Sequence, residues 1–223
     1  MNAELPGKGP NAARTALRTA AIMLLFTLVF TAVMAYTYHA TRPAIEASRE
    51  QEQMRLVDEV LPPGSYDNAL LEDYVVVGSR PPPGVDKGAR IWRARRAGEP
   101  VALVIEALAP DGYAGRIALL VALGADGRVS GVRVTAHRET PGLGDYIDPR
   151  KDRDKHSPWI AQFAGRSDEP ASWLPTKDGG TLAYRSGATI SARAVGQAVG
   201  RAAGWARAQG RQLYDAPAGS RLP

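Results

Sequence analysis

Cysteine is absent from the 223-residue chain, and histidine occurs only three times. Without thiols the protein forms no disulfide, holds no iron–sulfur cluster or thiolate zinc site, and has no cysteine nucleophile. The histidines, His39, His137 and His156, lie far apart, and no HExxH-type pair is present. These absences argue against a metal site, and they leave any redox chemistry to a cofactor bound by other side chains.

Aromatic residues are scarce, at 7%, and the chain has a single long hydrophobic run. With 44% hydrophobic and 23% charged residues, the composition excludes both a polytopic membrane protein and a wholly disordered chain. The length suits one globular domain with a hydrophobic core of its own.

Basic residues exceed acidic ones, giving a formal net charge of +5, but they are scattered along the chain. We interpret the densest group as a solvated strand edge rather than a nucleic-acid site, because exposed charges on an edge strand block aggregation. That group consists of Arg90, Arg93, Arg95 and Arg96.

The hydrophobic run covers residues 19–38, twenty residues without a charge. At 1.5 Å per residue, a helix of this length crosses a hydrocarbon layer of about 30 Å. The run is longer than the apolar part of a signal peptide and no clear cleavage site follows, so an uncleaved anchor is favoured. Basic residues dominate the preceding arm, and the positive-inside rule therefore predicts that the arm is cytoplasmic and the remainder is exported. The charges concerned are Lys8, Arg14 and Arg18 against Glu4.

Beyond the anchor, Pro43 is predicted to start a second helix that runs through Val60 and ends at the following LPPG sequence. Short strands are predicted at residues 74–77, 91–94 and 101–107.

The strongest local signal is a hairpin over residues 116–136, with two β-rich runs around an Asp126-Gly127 turn. Val132 and Val134 share one face of the second run, whereas Val129 breaks the alternation. A bulge allowed by Gly131 would reset the facing.

Residues 156–163 predict a short helix, and residues 191–209 predict a long amphipathic helix that Gly210 ends. The buried side of the short helix is formed by Trp159, Ile160 and Phe163. Helices around an antiparallel sheet define an α+β fold, here preceded by a single N-terminal transmembrane helix.

One candidate ligand-binding segment is residues 137–145, HRETPGLGD, directly after the hairpin. Gly142 and Gly144 permit positive φ and close backbone approach, and Pro141 fixes the start of the loop. Leu143 is therefore expected on a tight loop with free amides around it, an arrangement that suits a flat, partly apolar ligand. The alternative is a plain surface turn, since Pro-Gly pairs mark turns generally.

A second candidate segment opens the long helix, where Ser186, Gly187 and Ala188 precede Thr189. Small residues before a helix let backbone N–H groups and the positive end of the helix dipole bind an anion, particularly phosphate. The alternative, which is compatible with it, is a capping sequence with Ser191 or Thr189 as the N-cap. Neither GxxxxGK[ST] nor GxGxxG is present, which argues against a P-loop or a Rossmann site.

Together, HRETPGLGD and SGATISARAV, at 137–145 and 186–195, closely resemble the FMN-binding G component of Rnf (Rsx) electron-transport complexes. That family is related to the C component of the sodium-pumping NADH:quinone reductase. The resemblance extends over nearly the whole chain, including TRPAIEA at 41–47, LPPGSYDN at 61–68 and DGRVSGVRV at 126–134.

The residue patterns and the resemblance together predict four consecutive parts of the chain. They are a cytoplasmic arm at 1–18, a transmembrane helix at 19–38, a juxtamembrane helix and linker at 39–64, and an FMN-binding domain at 65–223.

In that family, FMN is joined through its phosphate to the hydroxyl of the threonine that ends the [ST]-G-A-T motif, and the matching residue is Thr189. Attachment depends on an FMN transferase that uses FAD as donor. Ala183 stands where many such sites carry Asp, yet we expect modification. The resemblance also implies that the ETPGLG loop lies along the flavin, with Leu143 packed on the isoalloxazine. The expected contacts are Ser186, Gly187, Ala188, Glu139, Thr140, Gly142, Leu143 and Gly144.

The function implied is that of a flavoprotein subunit that relays electrons within an ion-translocating oxidoreductase, coupled to Na⁺ or H⁺, that links ferredoxin and NAD. It would have no independent catalytic activity, and its exported domain would lie in the periplasm, outside the bacterial inner membrane. Its partners would be other Rnf subunits, the transferase and the bilayer, with no nucleic acid. Two alternatives stay open: a non-redox extracytoplasmic assembly subunit, and an anchored flavoprotein that serves a different reductase.

Overall fold

The structure, a computed structural model, describes residues 10–62, 64–85, 88–167 and 169–222. It divides into a first unit that ends at Gln51 and a second that begins at Glu52. Of the predicted cytoplasmic arm, Glu4 and Lys8 lie outside the described residues.

The described residues of the first unit, 10–51, are helical, and their helix α1, Pro10–Asp58, continues into the first residues of the second unit. It is long and apolar enough to cross a membrane, and its large side chains, such as Phe26 and Phe30, are exposed. Two of its hydroxyls bond within the helix, since Thr27 donates to the carbonyl of Met23 and Thr41 to that of Thr37, each at 2.8 Å. This helix fits a single-pass membrane anchor.

The prediction that Pro43 starts a new helix is wrong, because Pro43 lies inside the continuous α1. Proline lacks an N–H and removes one hydrogen bond, but the flanking turns hold the helix together. Arg42 donates to Glu46 at 2.8 Å across this turn.

The second unit is built on a six-stranded sheet with the spatial order β5-β4-β3-β2-β1-β6. Neighbouring strands are antiparallel except β6, which pairs with β1 in parallel. The strands are β1 Tyr74–Val77, β2 Ala89–Arg96, β3 Glu99–Gly112, β4 Gly115–Gly124, β5 Val129–Ala136 and β6 Arg221–Leu222.

The predicted hairpin is confirmed as β4 and β5, and so is its bulge. Gly127 adopts a φ of +80° at the turn. The register shifts between Ala122, paired with Gly131, and Leu123, paired with Val129. The extra residue returns Val129 to the buried face that Val132 and Val134 share.

One face of the sheet packs against helix α2, Thr189–Gln209, and against short 3₁₀ segments between β5 and α2. The predicted burial of Trp159, Ile160 and Phe163 is confirmed in the segment Trp159–Phe163. The other 3₁₀ segments are Gly144–Ile147, Pro170–Trp173 and Thr176–Asp178, and a four-residue helix α3, Gln212–Asp215, follows α2.

The other face is covered by the end of α1 and the residues after it. Val57, Val60 and Leu61 pack with Trp92 and Val104 in a second hydrophobic cluster. The second unit therefore begins at Glu52, ahead of the boundary expected at residue 65, because these side chains belong to its core.

The expectation of a solvated arginine edge is wrong for Arg93, which is only 2% exposed. Strand β2 lies between β1 and β3 rather than at an edge, and Arg93 forms a buried ion pair with Asp73. It also donates to carbonyls of the C-terminal segment at Leu213 and Ala216. Sequence spacing could not show that this cation is internal, because its partners lie up to 123 residues away.

Candidate functional site

The two motif segments lie side by side at the start of α2. The loop 137–145 leads from β5 into the 3₁₀ segment Gly144–Ile147, and residues 186–188 lead into α2. The hydroxyl of Tyr146 donates to the carbonyl of Ala188 at 3.2 Å and joins the two.

Glu139 connects three parts of the chain through one buried carboxylate. Its Oε1 accepts the N–H of Ala114, in the β3–β4 turn, at 3.0 Å. Its Oε2 accepts the hydroxyl of Ser191, in the first turn of α2. Glu139 is 4% exposed, so both carboxylate oxygens are used inside the protein and its side chain holds the site together.

Gly144 lies against this contact and has no room for a side chain. A Cβ at this position would lie 2.6 Å from the Ser191 Oγ and 2.8 Å from the Glu139 Oε2. The second glycine of the loop is therefore required by close approach to α2.

The loop presents Leu143 to solvent, with 53% of the residue exposed. Gly142 adopts a φ of +76° beside it. The expectation of free loop amides is wrong: the Gly142 N–H donates to Asp145 Oδ1 at 2.9 Å, and those of Leu143 and Gly144 donate to the Thr140 carbonyl at 3.1 Å. These bonds make the loop rigid, and they use the N–H groups that would otherwise face a ligand.

The second segment ends at the N-terminus of α2, where no side chain of the described residues caps the helix. Thr189 is the first residue of α2 and Ala188 is the N-cap, so the predicted capping by Thr189 or Ser191 is wrong. Ser191 lies within the helix, and its hydroxyl bonds to Glu139 instead. No side chain of the described residues caps the helix and its first turn holds no acidic residue, so its N–H groups and dipole can stabilise an anion.

Arg185, directly before Ser186, belongs to an ion pair that the sequence did not predict. Arg185 pairs with the buried Asp152 and lies over the ring of Tyr146, 4.9 Å from its centroid. Burial raises the pKa of Asp152, but the N–H groups of Trp159 and Asp154 and the charge of Arg185 outweigh it and hold the pKa below its ordinary value. An Arg and an Asp that are 33 residues apart give no sequence signal.

Ala183, two residues before Arg185, is held by its backbone. The indole N–H of Trp159 donates to its carbonyl at 2.6 Å, and its own N–H donates to Gln162 Oε1 at 2.8 Å. These backbone contacts fix the segment before Ser186, and they need no particular side chain at position 183.

Replacing Asp152 by asparagine is expected to destabilise the protein by about 1–2 kcal/mol at neutral pH, because Arg185 loses its partner and is itself partly exposed. An aspartate whose pKa is lowered by folding stabilises the fold above its unfolded pKa, near 4, and this contribution is lost as the pH falls through the folded value. The difference from wild type should therefore be constant above about pH 5 and decrease as the pH falls below about 4. Urea unfolding at several pH values measures it.

The exposed Asp111 supplies the control, since Asp111→Asn should change stability by less than about 0.5 kcal/mol. A pH-independent effect of Asp152→Asn would contradict the proposed ion pair.

A separate apolar groove of about 450 Å³ lies against the second hydrophobic cluster. Leu56, Trp92 and Leu120 line it, together with Glu106, whose pKa is raised by burial. No residue of the two motif segments lines this groove. We therefore place the candidate site at the start of α2, where the helix N-terminus can bind a phosphate.

The chain is similar in sequence to known proteins over most of its length. The family description "FMN-binding domain" matches residues 112–204, which contain both motif segments, and "RnfG N-terminal region" matches residues 1–60. The G component of the ion-translocating oxidoreductase complex of Pseudoalteromonas atlantica is 44% identical over 87% of this chain and 90% of its own length. The chain belongs to this RnfG family. The resemblance inferred from the motifs is thereby confirmed.

Further members of the RnfG family give the same result. The protein of the same name from Pseudomonas aeruginosa is 42% identical over 85% of this chain and 87% of its own length. The protein of that name from Salmonella typhimurium is 41% identical over 86% of this chain and 91% of its own length.

The described residues fit an FMN group. Thr189 offers a half-buried hydroxyl at an uncapped helix N-terminus, which suits a phosphate. The exposed Gly187 has a φ of +86° and open space where a Cβ would be. Leu143 and Ile190 offer exposed apolar surface for a flat ring.

Proposed function

We propose that the protein is a membrane-anchored electron-carrying subunit in which FMN is attached by a phosphoester to Thr189. The observation that carries the proposal is the position of Thr189, at the uncapped start of α2 and beside the loop that exposes Leu143. FMN supplies the redox chemistry when it is bound.

The start of α2 is suited to hold a phosphoester. The ester keeps a negative charge, and the first-turn N–H groups together with the helix dipole stabilise it. Ser186 and Gly187 are exposed and small, and Ala188 is buried, so the segment leaves space on the side of Thr189 that faces solvent. In the attachment step, the Thr189 oxygen would bond to the FMN phosphorus of FAD, and AMP would leave as the phosphoanhydride breaks.

We assign two roles to the loop residues: some contact the flavin, and others hold the loop in position. Leu143 is proposed to pack on the isoalloxazine, with Gly142 and the half-buried Thr140 beside it. Glu139 and Gly144 are buried and act as positioning residues, because they hold the loop against α2.

We further propose that the chain works within a complex such as the one that its relatives are named for, as the resemblance implies. There it would relay electrons between partner subunits that link ferredoxin and NAD. Residues 19–38 contain no acidic residue and no histidine, so the anchor offers no ion path of its own, and ion transfer would belong to the partners. The basic arm favours a cytoplasmic N-terminus, with the FMN-binding domain in the periplasm, outside the bacterial inner membrane.

The proposal is tested by the intact mass of the full-length protein after co-expression with an FMN transferase. We expect a mass increase equal to one FMN minus one water, together with visible flavin absorption. A colourless chain with the unmodified mass would instead support a non-redox assembly subunit. A yellow protein that fails to co-purify with Rnf subunits would support an anchored flavoprotein that serves another reductase.

A further inference from the structure

Three large apolar side chains of the second unit remain exposed among its described residues. They are Tyr113 at 66%, Leu143 at 53% and Ile190 at 44%. They come from the β3–β4 turn, from the loop after β5 and from the first turn of α2. Single exposed apolar residues are normal on a protein surface, whereas a group of them marks a binding surface.

The three residues are held around a single point, the carboxylate of Glu139. Tyr113 precedes Ala114 and Ile190 precedes Ser191, and both following residues donate a hydrogen bond to this carboxylate. Leu143 precedes Gly144, where a Cβ would lie only 2.8 Å from the Glu139 Oε2. Because consecutive Cα atoms are 3.8 Å apart, all three Cα atoms lie within roughly 9 Å of the carboxylate.

The β3–β4 turn that presents Tyr113 is itself fixed. Gly112 lies so close to Glu139 that a Cβ would be 2.9 Å from its Oε1, and Ala114 donates to the same oxygen. Gly115 adopts a φ of +119°, which lets the short turn close. Tyr113 is thus an exposed aromatic residue on a rigid turn, a combination suited to contact with a flat ring.

We propose that the isoalloxazine ring of FMN lies on the surface formed by Tyr113, Leu143 and Ile190, which makes Tyr113 and Ile190 further flavin-contact residues. The inference rests on the proposed attachment of FMN to Thr189, whose neighbour Ile190 belongs to this surface. The match to an FMN-binding domain begins at residue 112 and so includes the turn.

The test uses the full-length, flavin-loaded protein and its Tyr113→Phe variant. A phenol in contact with an excited flavin quenches its fluorescence by reversible electron transfer, whereas a phenyl ring does not. We expect Tyr113→Phe to raise flavin emission per attached flavin roughly two-fold or more, because contact requires the two rings to lie close together. In Tyr113→Ala, iodide should quench the flavin more strongly, and Tyr113→Leu should restore the shielding.

Tyr74→Phe is the matched control, since Tyr74 lies on β1, where its ring stacks with Arg90. It should leave both flavin emission and iodide quenching unchanged. A flavin-loaded Tyr113→Phe protein with wild-type emission, and a Tyr113→Ala protein with wild-type iodide quenching, would overturn the inference while leaving attachment at Thr189 intact. A wild-type chain of unmodified mass would overturn the proposed function itself.

Discussion

Thr189→Ala is expected to abolish covalent flavin while leaving the fold intact. The hydroxyl is the only part of the side chain that the proposed ester uses, and the helix loses no side-chain cap, because Ala188 is the N-cap. Alanine is also a better helix former than threonine, so stability should change by less than about 1 kcal/mol. In-gel flavin fluorescence after denaturation and intact mass measure attachment, and thermal unfolding checks the fold.

Thr176→Ala is the matched control for this variant. Thr176 is an exposed threonine that likewise starts a helical segment in the same unit, but it lies outside both motif segments. It should keep full flavin loading. Fluorescence that persists on a denaturing gel of Thr189→Ala would count against Thr189 as the attachment residue.

Gly196→Ala should destabilise the protein by about 3 kcal/mol, although alanine favours helices. Gly196 lies in the middle of α2, where a Cβ would come within 2.5 Å of the Leu182 side chain and collide with the backbone carbonyl of Trp173. The backbone of the segment Pro170–Trp173 cannot give way as the end of a side chain can, so α2 would have to move off the core. Chemical denaturation with far-UV circular dichroism measures the loss.

Gly204→Ala is the matched control on the same helix, and we expect it to change stability in the opposite direction. A Cβ at Gly204 would meet no atom within 4 Å, so only the intrinsic helix preference remains. We expect stabilisation of about 0.5–1 kcal/mol. Equal effects of the two substitutions would show that α2 does not pack against Trp173 as described.

The sequence predicted the elements that local patterns determine. The Asp126-Gly127 turn, the bulge near Gly131 and the buried side of Trp159–Phe163 all follow from periodicity and turn chemistry between near neighbours. The anchor was equally clear, because twenty uncharged residues have few other structures open to them.

The sequence could not predict the contacts that assemble the site. Glu139 was assigned to flavin contact by resemblance, yet its carboxylate bonds to Ala114 and Ser191, which are 25 and 52 residues away. The same limitation explains the error at Ser191, whose hydroxyl is suited to capping by local rules but finds a tertiary partner. The sequence did not predict a role for Tyr113, because a single tyrosine in a turn belongs to no motif. Its position becomes informative only when the fold brings the turn close to the start of α2 through Glu139.

The second hydrophobic cluster has a practical consequence for anyone who wishes to release the flavin domain from its anchor. Val57, Val60 and Leu61, all at most 3% exposed, form one side of that cluster, so they are lost if the polypeptide is cut after Leu61. The freed fragment would then expose Trp92 and Val104 to water, and such fragments would self-associate. Cleavage before Glu52 keeps this cover in place and should yield a monodisperse soluble fragment.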